Sequence, residues 1–259
     1  MNELGALAVL AQRDVLRFLR DPARILATLV FPVILIAALG GVFQASFGQR
    51  VGYNLVVFTF TGVFAQTLFQ STAIGIISLM EDRTNNFSQE MFVSPISRYT
   101  IVAGKIAGET AVSLIQGLAI VLIGLLVGVP IGPAQVAGLA VAGVAACLLG
   151  GSFGILVLAN LRTRSAVEQI FNFLFLPQYF LGGVFTPLVG LPVYLDIASR
   201  FSPLRYAVDF TRGLFYAGTE EFSAVVAAPP AFNLAMIGLM FGGFLLVGTT
   251  LFARAERNR

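Results

Sequence analysis

Six times along the chain, a run of roughly twenty apolar residues appears between charged or turn-forming residues, at about 25–43, 55–79, 106–127, 136–158, 167–185 and 232–252. A helix of about twenty residues crosses the ~30 Å hydrocarbon core of a bilayer. Inside that core every backbone N–H and C=O must be satisfied within the chain, which makes these runs helices. With 57% hydrophobic and 11% charged residues, the chain is also far from the roughly quarter-charged average of soluble domains. The expected fold is an all-α membrane protein with six transmembrane helices. Neither a low-complexity linker nor an internal repeat is visible, so a single domain is expected over 1–259.

Ahead of the first run, Leu4, Leu7, Ala8, Ala11, Val15 and Phe18 fall on one side of a helical plot, with Arg13, Arg17, Arg20 and Arg24 on the other. This pattern predicts an amphipathic helix over about 3–20 lying on the membrane surface. Val9 and Leu16 interrupt it, and a soluble leader helix has a similar pattern. Asp21-Pro22 joins an N-cap to a proline suited to the first helical turn, so the next helix starts there. The first span is too long for a signal-peptide core and no small-x-small cleavage site follows it, so it is expected to be retained.

Thr59, Gly62, Gln66 and Gln70 in the second span, and Glu109, Ser113 and Gln116 in the third, recur at helical spacing, and those faces should turn away from lipid. Gly143, Gly150, Gly151 and Gly154 predict close helix packing in the fourth, and Pro177 predicts a kink in the fifth. From Pro187 to Pro230 the chain is too apolar for a soluble loop, yet Pro192 and Pro203 cut it into pieces too short to cross a bilayer. Short half-buried helices near the far surface are expected there, with Tyr206, Asp209 and Arg212 spaced for one helix face.

The polar stretch EDRTNNFSQEMFVSPISRYTIVAGK, Glu81 to Lys105, separates the second and third spans. It reads as a short helix bounded by turns, stopped by Pro95, with Arg98 and Lys105 on a charged exit; a solvated loop has a similar composition. Six spans put both termini on one side. Arg13, Arg17, Arg20, Arg24, Arg83, Arg98, Lys105, Arg162, Arg164, Arg254, Arg257 and Arg259 then share that side, against Arg50, Arg200, Arg205 and Arg212 on the other. An excess of Lys and Arg marks the cytoplasmic side. Both termini and the Glu81 to Lys105 stretch are therefore expected in the cytoplasm, in a multi-pass protein of the inner or plasma membrane.

The chain has no histidine, one cysteine (Cys147) and one lysine (Lys105). A zinc or haem site is not expected, nor is a catalytic triad. Lys105 follows Gly104 but precedes Ile106, with Tyr99 where a phosphate-binding loop needs its first glycine, so this chain is not expected to hydrolyse ATP. Glu109 and Glu168 sit near the ends of their spans, whereas an ion-coupled carrier needs an ionisable group near mid-membrane. Energy is expected to arrive from outside the bilayer.

These residues resemble the type-2 permease family of ATP-binding cassette exporters, the daunorubicin- and multidrug-exporter-like permeases, over nearly the whole chain. Glu81, Asp82, Arg83, Met91, Phe92, Val93, Ser94, Pro95, Arg98, Gly104 and Lys105 are similar to that family's cytoplasmic coupling-helix segment. Gly182-Gly183-Val184-Phe185, Pro187, Leu191-Pro192, Ser202-Pro203, Tyr206, Asp209 and Arg212 are similar to the end of its fifth span and its extracellular re-entrant helices. Asn85-Asn86 stands where many members carry a glycine; asparagine tolerates the same left-handed backbone.

The resemblance implies two permease subunits, alike or different, with two copies of an ATPase subunit beneath them that bind ATP and Mg, no cofactor being held by this chain. Coupling is then assigned to Glu81, Asp82, Arg83, Phe87, Glu90, Met91, Phe92, Pro95, Arg98 and Lys105. Phe87, Met91 and Phe92 would seat in a groove of the ATPase while Glu90 and Arg98 fix orientation. The family's substrate path, lined by the second and fifth spans, maps onto Gln66, Gln70, Gln169, Asn172 and Phe173; interhelical hydrogen bonding explains the polar ones equally well. Asp209 and Arg212 are also spaced for a plain helix pair.

The function implied is outward transport of an amphipathic or hydrophobic molecule such as a drug, antibiotic or lipid. Polysaccharide or glycolipid export stays open through the aromatic run Phe171, Phe173, Phe175, Tyr179 and Phe180. A secondary carrier or channel independent of ATP is the reading from another class.

Overall fold

The computed structural model describes residues 3–78, 98–159, 161 and 164–257, and all the regular structure in them is helical. The stretch expected to form the coupling helix, including Glu81, Asp82, Arg83, Phe87, Glu90, Met91, Phe92 and Pro95, lies outside the described residues. Helix α1 (Glu3–Leu19) is followed by α2 (Pro22–Val33), which runs through a π-helical stretch (Ile34–Gly40) into α3 (Gly41–Phe47). Asp21 caps α2 by accepting from the Arg24 amide at 2.9 Å, with Pro22 in the first turn. Pro32 sits just ahead of the π-helical stretch, as expected where a missing N–H disturbs the backbone ladder. Helices α4 (Leu55–Gly75), α5 (Arg98–Leu126), α6 (Pro133–Leu158), α7 (Arg164–Leu181) and α11 (Pro230–Arg257) are the other long elements. Between α7 and α11 lie α8 (Val193–Arg200), α9 (Pro203–Phe215) and the single turn α10 (Phe222–Val225).

Among the described residues, five helical segments are long and apolar enough to cross a bilayer: Pro22–Phe47, Leu55–Gly75, Thr100–Leu126, Pro133–Leu158 and Phe222–Leu251. The fifth span expected at 167–185 falls on α7, which is not one of these five segments; its 18 residues reach only about 27 Å. It stops short of residue 185 because Gly182-Gly183 turns the chain, Gly183 at φ +73°.

Helix α4 is the axis of the bundle. Nearly every residue from Leu55 to Phe69 is buried, apolar and polar alike, as befits a helix enclosed by others on all sides. Helix α6 lies directly against it because its facing positions are glycines. A Cβ at Gly150 would stand 2.8 Å from the Phe69 carbonyl carbon, and one at Gly154 would stand 2.6 Å from the Ala73 oxygen. Both obstacles are backbone, so neither can swing aside. Beside this seam, Phe69 meets Phe153 at 5.6 Å between ring centroids, Phe171 stacks on Phe175 at 5.4 Å, and Phe153 meets Phe244 at 5.9 Å. This aromatic cluster joins α4, α6, α7 and α11.

The short helices are braced by polar contacts. Asp196 accepts from Arg200 at 2.7 Å and from Arg205 at 2.8 Å, tying α8 to α9, and these two partners hold its carboxyl below the ordinary range.

Gly150→Ala or Gly154→Ala should push α4 and α6 apart and cost about 1–3 kcal/mol. Gly243→Ala, where a Cβ meets nothing within 4 Å, should leave stability intact. Thermal unfolding in detergent compares the three; equal midpoints would show that the seam does not need its glycines.

Candidate functional site

A cavity of about 430 Å³ opens where α2, α4, α5 and α7 meet. Its walls are chemically divided. Ala27, Phe31 and Pro32 of α2 and Ile74 of α4 are apolar, whereas Gln66, Thr67, Gln70 and Ser71 of α4, Gln116 of α5 and Tyr179 of α7 are polar. The polar wall is an ordered network. Gln66 Nε2 donates to Gln70 Oε1 at 2.9 Å, Tyr179 Oη donates to the same oxygen at 2.9 Å, and Ser113 Oγ donates to Ser71 Oγ at 2.9 Å. Gln66 and Gln116 are almost completely buried, and each keeps an Oε1 without a donor. Among the described residues, Arg24 is the one charged lining residue.

Below the cavity lies a buried charge cluster. Lys105 of α5, 3% exposed, holds Asp14 of α1 at 2.7 Å and Glu109, one turn along α5, at 2.7 Å. Asp14 also meets Arg13 at 3.3 Å. Two glycines admit these carboxylates: a Cβ on Gly75 of α4 would collide with the Glu109 carboxylate, and one on Gly108 would stand 3.0 Å from Asp14 Oδ2. Gly75 lines the cavity as well, so the Glu109 carboxylate lies directly behind the cavity wall, while the cluster itself lines a separate small pocket that Arg24 shares. Helix α1 therefore docks on α5 through Ala11 and Asp14, with a charge on its inward face and Phe18 buried one turn on. Val9, Leu16 and Leu19 form a second apolar strip, and it is exposed.

Of the residues expected on a substrate path, Gln66 and Gln70 line the cavity. Gln169, Asn172 and Phe173 do not; they are exposed on the other face of α7 from Phe171 and Phe175, Phe173 at 77%. Tyr179 is the α7 residue that reaches the cavity. Of the expected coupling residues, Arg98 opens α5, and Lys105 is buried in the cluster, so any part it has in coupling passes through Asp14 and Glu109.

In the second expected region, Pro187 lies in the turn after α7, Pro192 caps α8 and Pro203 opens α9. Tyr206 Oη donates to the Arg200 carbonyl at 3.0 Å. Asp209 and Arg212 do not pair with each other. Asp209 accepts from the amides of Ala227 and Ala228 at 2.8 and 2.9 Å and from Asn233 Nδ2 at 2.7 Å, fixing the connection into α11. Arg212, wholly buried, donates to the Val184 carbonyl at 3.2 Å and lies 3.6 Å from the centroid of the Phe58 ring.

Several apolar helices of bilayer length, with a cavity of mixed apolar and polar lining between them, define a multi-pass membrane protein. The chain belongs to the ABC-2 type transporter family, whose model matches residues 5–216. It is 25% identical over 245 residues to the protein named transport permease ycf38 of Cyanophora paradoxa, covering 93% of this chain and 83% of that one. It is 27% identical to the ycf38 permease of Pyropia yezoensis, covering 84% and 76%. It is 24% identical to the inner membrane transport permease YadH of Escherichia coli K12, covering 78% and 80%.

Lys105→Met would leave two buried carboxylates facing each other without their shared cation, a loss of about 3–5 kcal/mol. Adding Glu109→Gln should recover part of it. A double-mutant cycle read by thermal unfolding measures the coupling; purely additive losses would mean that the two side chains do not form a working pair.

Proposed function

We propose that this chain is the permease subunit of an ATP-driven exporter that moves an amphipathic or hydrophobic molecule outward by alternating access. The observation that carries this reading is the divided cavity, mostly apolar with one wall of amide and hydroxyl groups, inside a helical bundle of an ABC-2 type transporter. A cargo with an apolar body and a polar end matches such walls. The chain carries no recognisable ATP-binding motif, so the energy source is a separate ATPase, two copies serving two permeases and holding the ATP and Mg. The family membership and the relatives' names support a transport role, and the name of YadH supports an inner-membrane location.

In this reading both termini and residues 81–105 face the cytoplasm, consistent with the distribution of Lys and Arg. Helix α1 lies at the membrane surface, its exposed Val9, Leu16 and Leu19 meeting lipid. Glu81, Asp82, Arg83, Phe87, Glu90, Met91, Phe92, Pro95 and Arg98 engage the ATPase, and Lys105 passes the movement to α1 and to the cavity wall. Gln66 and Gln70 contact cargo. Gln169, Asn172 and Phe173, on the exposed face of α7, belong to the path where the second permease subunit completes it.

Proteoliposomes carrying the purified permease with its co-purified ATPase should accumulate a fluorescent amphiphile only when ATP is added. Glu90→Ala or Met91→Ala should reduce ATPase co-purification while leaving expression unchanged. Transport by the permease alone, or undiminished co-purification of both variants, would contradict the proposal.

A further inference from the structure

The cavity's chemistry is narrower than amphipathic. Among the described residues that line it, the one formal charge is Arg24, whose guanidinium makes no ion pair, lies 5.8 Å from the centroid of the Phe18 ring and is exposed; the adjoining small pocket sets Arg17, Arg24 and Lys105 against Asp14 and Glu109, so cations outnumber carboxylates there too. An anion is therefore favoured at that end over a cation or a neutral group. On the polar wall, the buried Oε1 atoms of Gln66 and Gln116 lack donors, and a buried acceptor left unmade is costly. A ligand rich in hydroxyl groups supplies what these amides lack.

The apolar wall shows where the rest of such a ligand lies. Phe31 belongs to the cavity, and beside it Leu26 and Val30 of α2 and Ile34, the first residue of the π-helical stretch, form a ridge at four-residue spacing, each more than half exposed. At about 430 Å³ the cavity holds a headgroup and the first carbons of a chain, not a whole two-chain lipid. The chains must then leave along this ridge into the bilayer. We propose that the cavity takes the anionic, hydroxyl-bearing headgroup of an amphiphile, with the anion on Arg24, the hydroxyls on the Gln66 and Gln116 amides, and the chains outside along Leu26, Val30 and Ile34. This rests on the permease reading and gives its cargo a class.

The shared chemistry is a hydroxylated phosphoester, which comes either on a lipid or free in solution. The test is equilibrium binding to the full-length protein purified in detergent, without nucleotide. The probes are short-chain fluorescent phosphatidylglycerol, phosphatidylmethanol and phosphatidylcholine, with glycerol 3-phosphate as competitor. Phosphatidylglycerol should bind about tenfold tighter than phosphatidylcholine, with phosphatidylmethanol between them. Arg24→Gln should remove the preference for both anionic probes, and Arg24→Lys should keep most of it. Gln116→Leu should close only the gap between phosphatidylglycerol and phosphatidylmethanol. Glycerol 3-phosphate should not compete.

Equal binding of all three lipids, or an unchanged preference in Arg24→Gln, would overturn the proposal. Competition by glycerol 3-phosphate as strong as that of the lipid would overturn the assignment to an amphiphile. Because binding is read without ATP, these outcomes are separate from failure of the ATP-driven reading, which shows as absent nucleotide-dependent flux.

Discussion

The close approach of α4 and α6 is the constraint that organises the bundle. Helix α4 can occupy the centre because Gly150 and Gly154 remove the side chains that would hold α6 away from the backbone of Phe69 and Ala73. In a bilayer the tails outside are as apolar as the side chains inside, so packing of this kind, more than burial, drives helix association. The aromatic cluster around Phe153 then brings in α7 and α11. Once α4 is held on that side, its glutamines can only face the gap left toward α2, α5 and α7, and the cavity is that gap.

The buried ion cluster completes the arrangement from below. Asp14, Lys105 and Glu109 are costly to desolvate and are retained only as a connected set. They clamp the N-terminal helix to α5 and set a carboxylate against Gly75, which itself lines the cavity. The start of α5 is therefore linked to the cavity wall by direct contacts through Lys105, Glu109 and Gly75.

Much of the fold was readable because apolar length and turn residues act locally. The helical class, the break at Asp21-Pro22, the glycine seam of α6 and the short helices after Pro192 and Pro203 follow from nearest neighbours. The start of α5 was less visible. The span was expected from residue 106, but the helix begins at Arg98, because Lys105 is neutralised by a residue 91 positions away and charge no longer marks an end. Gln66 and Gln70 were legible as polar groups in an apolar helix. The inward face of α7 was not, since Phe171 and Phe175 compete for it on equal terms with Gln169 and Asn172 until Phe69 and Phe153 are in place. Arg24 read as one more charge on an amphipathic face, and Asp209 with Arg212 as a helix pair. Only the tertiary structure shows that Arg24 reaches the cavity and that Asp209 and Arg212 brace separate parts of the chain.

The central claim is that the cavity opens alternately to the two sides of the membrane under ATP. The single cysteine, Cys147, is buried and can be replaced by serine, so a cysteine at Ser71 on the cavity wall becomes the only reporter. Labelling of this Ser71→Cys protein with a membrane-impermeant maleimide should be fast from the cytoplasmic face without nucleotide. When the assembled transporter is trapped with ATP and vanadate, labelling should become slow from that face and measurable from the other. The same rate from the same side in both states would contradict the account.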